Sequence, residues 1–301
     1  MSDRIGADLL QPQLPALASP DLGQMPRARL QAMRAAGAEV LECMGMLGKA
    51  NIDLVSEVLR GQGTFYELEH YPSDDVFDRD THAQYYYHAH RGAAEHGHFH
   101  TFLRAPGMPE GVAPVPYSGE EIWPNGDESI SHLIAISMDA FGRPISLFAV
   151  NRWVSAEAWY PAEDVIRMLD RFAIDHAFPF WPVNRWISAM LQLFRPQVEA
   201  LVRHRDAVVD AWRRAHPDSD VFEDRRLDVT GEFFISIGAQ IAAVEAALLR
   251  LYVTEDANGK ASVTWRDPST VFAPYGSAEL NTMARELDPV FEKIVRDATG
   301  S

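Results

Sequence analysis

Residues 83–104 read A-Q-Y-Y-Y-H-A-H-R-G-A-A-E-H-G-H-F-H-T-F-L-R. With His82 just before them, six of the chain's eleven histidines fall within nineteen residues, where an even spread would put fewer than one. In a strand, side chains two apart share a face. His88 and His90 therefore point one way with Tyr86, while Tyr85, Tyr87 and Ala89 point the other. The same alternation places His96, His98, His100 and Phe102 on one face, opposite Phe99 and Leu103. Joined through R-G-A-A-E-H-G, the two runs make an antiparallel hairpin. With His90 opposite His98, His88 falls opposite His100 and four imidazoles crowd one face, Cβ atoms about 5 Å apart. A slip of one residue would part them to opposite faces. Apolar partners on the second face favour the crowded arrangement.

Working outward, residues 26–62 read as helical. Leu30, Met33, Val40, Leu41, Met44 and Leu47 recur at helical spacing after Pro26, and Asn51 is expected to cap a second helix carrying Ile52, Val55 and Leu59. Residues 64–153 are mostly β, and H-L-I-A-I-S-M-D and P-I-S-L-F-A-V-N-R-W form a hairpin about Gly142. A proline-rich loop at about 105–130 is expected to cover or line a site. From 160 to 301 the chain is mostly helical, with helices opened by Pro161, spanning about 184–214, 231–252 and 277–297, and a short hairpin about Asn258-Gly259. The expected fold is α+β: an antiparallel sheet of four or more strands packed by N-terminal and C-terminal helices. Residues 1–25 read as a flexible arm and 26–301 as one domain. V-N-R-W recurs at Val150 and Val183, read as helix entries rather than a repeat, with Asn151, Arg152 and Trp153 lining a pocket as the alternative.

Composition bounds the chemistry. At 301 residues and 47% hydrophobic content the chain can bury a real core. A single cysteine, Cys43, excludes an internal disulfide and any multi-cysteine metal site, so a metal must rest on His, Asp and Glu. The formal charge of -16 argues against nucleic acid as the main partner. No apolar run suits a signal peptide or a membrane span, which leads us to expect a cytoplasmic protein. The mostly apolar helix at 231–252 suits a homo-oligomer interface as well as a core.

Imidazole suits zinc, iron and copper, and H-x-H on a strand places two neighbouring ligands at once. His88, His90, His98 and His100 are accordingly the expected ligands of a divalent transition metal. Glu95, His96 and His132 are the candidate acid/base groups, with Asp78 and Asp80 upstream as further carboxylates. Ser137 and Asp139 near His132 lack the glycines of a nucleophile elbow. The expected function is that of a metal-dependent enzyme, hydrolytic or oxidative, acting on a small molecule. The alternatives are phosphoryl or nucleotidyl chemistry through His98, and a non-enzymatic metal or ligand carrier.

Two short resemblances bear on that choice. H-G-H-F-H-T-F at 96–102 resembles the histidine-triad nucleotide-binding motif, which implies attack on a phosphate by the middle histidine, His98, with its neighbours holding the phosphate oxygens. Gly92, with five residues before His98-Phe99-His100, is similar to the opening of a cupin metal motif. The glutamate of that motif is replaced by Arg104 and Ala105. Taken whole, the chain resembles the bacterial families that carry no assigned function.

Overall fold

The computed structural model describes residues 16–250, 253–255 and 261–263. The helix expected at 277–297 and the Asn258-Gly259 turn lie outside these residues, as does most of the expected arm. Where that arm is described, a short 3-10 turn at Leu22–Gln24 buries Leu22 against Leu30, Met33, Val244 and Leu248.

The protein is α+β. Six strands run β1 Tyr71–Phe77, β2 Ala83–His88, β3 Gly97–Arg104, β4 Ile130–Met138, β5 Pro144–Val150 and β6 Val229–Phe234, forming an antiparallel meander in which each strand pairs with the next. A separate two-stranded ribbon joins β7 Val253–Glu255 to β8 Ala261–Val263. The helices are α1 Arg27–Lys49, α2 Leu54–Leu59, α3 Arg152–Ser155, α4 Ala162–Met168, α5 Trp181–Leu193, α6 Arg195–Ala215 and α7 Ile237–Arg250.

One face of the meander carries Tyr85, Tyr87, Phe99, Leu103, Ile134, Ile136, Leu147 and Ala149. These pack into a single core with Val40, Cys43 and Leu47 of α1, Leu54 of α2, Trp186, Ile187 and Met190 of α5, and Val198 and Leu201 of α6. Burial of this face fixes which side chains of β2 and β3 point the other way. Tyr85 ties sheet to helix: its hydroxyl donates to Asn184 Oδ1 at 2.6 Å, and Asn184 Nδ2 donates to the carbonyls of His176 and Phe178. Asn184 therefore serves the second V-N-R-W as a buried clasp, whereas Asn151 caps α3 in the first.

Four boundaries differ from expectation. Asp53, not Asn51, caps α2, accepting from the backbone N–H of Val55 and Ser56, while Asn51 sits in a left-handed turn at φ 56°. The long helix expected over 184–214 is two, broken at Phe194 and restarted at Arg195-Pro196, where proline suits a first turn. The helix opened by Pro161 ends at Met168. Residues expected to begin a helix at Gly231 instead complete the edge strand β6, because Val229, Thr230, Phe233 and Phe234 favour a pleated surface.

The buried Tyr85–Asn184 bond gives a test. Tyr85→Phe leaves the Asn184 oxygen unpaired in the core, and we expect a loss of about 1–3 kcal/mol in urea unfolding. An unchanged midpoint would show that the clasp contributes nothing.

Candidate metal centre

The register of β2 and β3 places His88 opposite His98 and Tyr86 opposite His100. This is two residues from the expected pairing of His90 with His98. A shift of two preserves the parity of the pleat, so the histidines still share a face. β2 ends at His88, and His90 lies beyond it in the connecting loop, exposed.

The ligand atoms of His88, His90, His98 and His100 lie within 4.8 Å of one another. Nε2 of His98 is 2.8 Å from Nε2 of His88 and 3.0 Å from Nε2 of His100. Two ligands bound at ordinary metal–nitrogen lengths and at right angles lie about 2.9 Å apart. The spacing thus fits neighbouring positions around one ion. His88 and its two partners are buried, at 7%, 0% and 0% exposure.

Two of these rings are held from behind. His98 Nδ1 bonds to Glu95, whose other oxygen accepts from Ser137 Oγ and, at 3.2 Å, from Arg91. An ionised carboxylate only accepts, so His98 carries its proton on Nδ1 and presents Nε2 as a lone pair. His100 Nδ1 lies 2.9 Å from His132 Nε2. A carboxylate behind a ligand ring is a usual support of a metal-bound histidine, and the His132 nitrogen offers His100 an acceptor in the same place. His88 Nδ1, buried, has no such partner among the described residues.

His132 reaches this face through an irregularity of the ladder. Thr101 pairs with Ile134 but Phe102 pairs with His132, so β4 carries an extra residue at Leu133. Without that bulge, His132 would share parity with Ile134 and Ile136 and enter the helical core. The bulge leaves backbone groups to be satisfied otherwise: buried Glu157 accepts from His132 N at 2.6 Å, and Thr101 Oγ1 donates to Ile134 O at 2.7 Å.

His96 departs from its expected face. It precedes β3, and its ring stacks on Phe65 at 5.2 Å and meets the Tyr87 hydroxyl at 2.7 Å. Gly97 makes this possible, since a Cβ there would come within 2.6 Å of the Tyr87 hydroxyl and the His88 carbonyl. Nor does Asp78 join the cluster. It is a buried turn group that accepts from the backbone of Asp80, Thr81 and Asp175. In the proline-rich loop, Val115, Tyr117 and Trp123 pack with Trp159, Trp212 and Phe222, and Val115, Tyr117, Trp159 and Phe222 line a groove of about 630 Å³ with Val209 and Arg213 of α6.

The site also holds residues that sequence reasoning passed over. His70 lies flat on Tyr86, ring centres 3.6 Å apart, and stands edge-on to His88 at 5.6 Å. Its Nδ1 is 2.9 Å from Asp75 Oδ1, and Asp75 Oδ2 accepts from Gln84 at 2.6 Å. Phe148 meets His98 edge to face, and the Arg91 guanidinium lies over the Phe148 ring, 4.3 Å from its centre. No periodic signal marks His70, which precedes β1, and none marks Asp75.

Burial disfavours the charged forms of His88, His98 and His100, reinforced by the neighbouring imidazoles, and Glu95 only partly opposes this at His98. His132 is pushed down to about 3, first by burial and then by Arg205. Glu95 is desolvated, yet His98, Ser137 and Arg91 hold its carboxyl below the ordinary value. These are the protonation states in which imidazoles donate lone pairs.

The chain belongs to a family described as a domain of unknown function (DUF6969), whose model matches residues 34–235. The matched span contains the whole meander and every residue of the cluster. A search of curated proteins found no match, and neither did a search of solved structures.

Glu157 supplies a pH test of the bulge. Burial raises its carboxyl to about 7 against the pull of Arg205 and the His132 N–H. The fold therefore prefers the protonated form, and this group's contribution is fully present below its ordinary value and lost as pH rises toward 7. Subtracting the unfolding free energy of Glu157→Gln from that of the wild type should leave a difference that falls between pH 5 and about 7. A pH-independent difference would contradict the assignment.

Proposed function

We propose that the chain is a metal-dependent enzyme acting on a small molecule, with His88, His98 and His100 as fixed ligands of one transition-metal ion and His90 beside them. The observation that carries this reading is the convergence of three Nε2 atoms at 2.8 and 3.0 Å, two of their rings braced by Glu95 and His132. An all-imidazole set suits zinc, iron or copper, and the ion would supply Lewis-acid or redox chemistry to a hydrolytic or oxidative reaction.

The expected acid/base groups need reassignment within this reading. Glu95 and His132 are occupied as braces, and His96 faces away. We assign the proton-handling role to His70, whose Nδ1 is fixed by Asp75 and whose Nε2 has no protein partner among the described residues. Phosphoryl chemistry through His98 is less well supported: a histidine triad needs His96 on the same pocket, whereas His96 stacks on Phe65 and meets the Tyr87 hydroxyl, and His98 is fully buried. A metal carrier is the second reading, favoured by the commitment of Glu95 and His132 to support.

No helix among the described residues is long and apolar enough to cross a membrane. With one buried cysteine, a reducing compartment such as the cytoplasm suits the chain. A homo-oligomer through the helical layer is compatible with this reading.

Elemental analysis by plasma mass spectrometry tests the proposal on protein purified without a histidine tag or nickel column. We expect about one transition-metal ion per chain in the wild type and its loss in His98→Ala/His100→Ala. Absence of metal from the wild type, with no uptake on reconstitution, would remove the reading.

A further inference from the structure

The four histidines are not equivalent. His88, His98 and His100 stand on paired strands and are buried. His90 stands on the loop that joins them, exposed, and the loop turns at Gly92 with φ 59°. His90 meets the rings of His88 and His98 at 4.9 Å each, yet its nitrogens form no hydrogen bond with them. The three strand histidines are already linked at contact distance, whereas His90 merely stands beside them.

Resting on the metal reading above, we propose that His90 is a displaceable fourth ligand, and that a small oxygen or nitrogen donor enters the centre by taking its place. The strand ligands cannot yield that position. Each is buried among packed rings on a paired strand, and His98 and His100 are also held at Nδ1 by Glu95 and His132, so no rotamer turns one of them to solvent. His90 can leave by rotating its side chain toward solvent, at little cost to the fold.

The entry side is defined by what flanks it. Leu68 N donates to the Ala89 carbonyl at 2.9 Å, so the segment carrying His70 runs beside the segment carrying His90. Both imidazoles touch the ring of His88. Leu68 holds φ 69°, a conformation costly for a branched side chain, and its side chain is 72% exposed. A molecule that displaces His90 would therefore arrive beside the free Nε2 of His70, which accepts an N–H or O–H from it. The expected ligand class is a small polar molecule with a coordinating oxygen or nitrogen next to a hydrogen-bond donor.

The test uses full-length protein loaded with Cu(II) and azide as the entering probe, followed by its charge-transfer absorption. If His90 holds the position nine-tenths of the time, azide sees about one-tenth of the sites, and removing His90 raises its affinity about tenfold. His90→Ala and His90→Asn should both keep one copper per chain and show that gain. Loss of copper from both variants, with circular dichroism unchanged, would make His90 a fixed ligand and overturn the proposal. Azide affinity within about twofold of the wild type would place His90 off the metal and overturn it equally. Failure of the parent reading is separable, because the wild type itself would then take up no copper.

Discussion

The pairing of His88 with His98 across two antiparallel strands is the constraint on which the centre depends. It sets parity: Tyr85, Tyr87, Phe99 and Leu103 enter the core under α1, α2 and α5, and the imidazoles are turned to the other face. Burial of those aromatic and aliphatic groups thereby also fixes the direction of every ligand ring. A register that slipped by one residue would put histidines into the hydrophobic core and tyrosines onto the polar face, both strongly disfavoured. The hydrophobic face acts as the positional lock of the polar one.

A second constraint recruits His132. Strict alternation would send it toward the helices with Ile134 and Ile136. The extra residue at Leu133 reverses it, and the cost of the interrupted ladder is offset by Glu157 and Thr101 taking the released backbone groups. A buried carboxyl raised to about 7 is tolerated here because it holds a bulge that supports a ligand. This is local irregularity maintained by its surroundings, as is common beside functional sites.

Much of this was legible in the residues, and the limits have physical causes. The clustering of imidazoles at alternate positions, with aromatic and aliphatic groups between them, determines the face for every register that differs by an even number of residues. The register itself was not legible, because either pairing buries the same side chains, and the loop length that decides it depends on the turn at Gly92–Ala94. His96 was misplaced because alternation was carried one residue past the strand's start, where Gly97 admits the Tyr87 ring. His70 and Asp75 gave no signal, since their meeting with Tyr86 is made by β1 folding against β2. The edge strand β6 was hidden by its continuity with an apolar helix, and only Val229, Thr230, Phe233 and Phe234 hinted at a strand. The proline-rich loop is expected over the histidine site, but the groove it lines is shared with α6 and contains none of the clustered histidines.

The most direct measurement is anomalous X-ray diffraction from crystals of untagged protein, collected on either side of the absorption edges of iron, copper and zinc. The account predicts one strong peak within bonding distance of Nε2 of His88, His98 and His100, with Glu95 and His132 still behind the second and third rings. Density without any such peak, His98 Nε2 still in hydrogen-bond contact with Nε2 of His88 and of His100 after soaking in each metal, would contradict it.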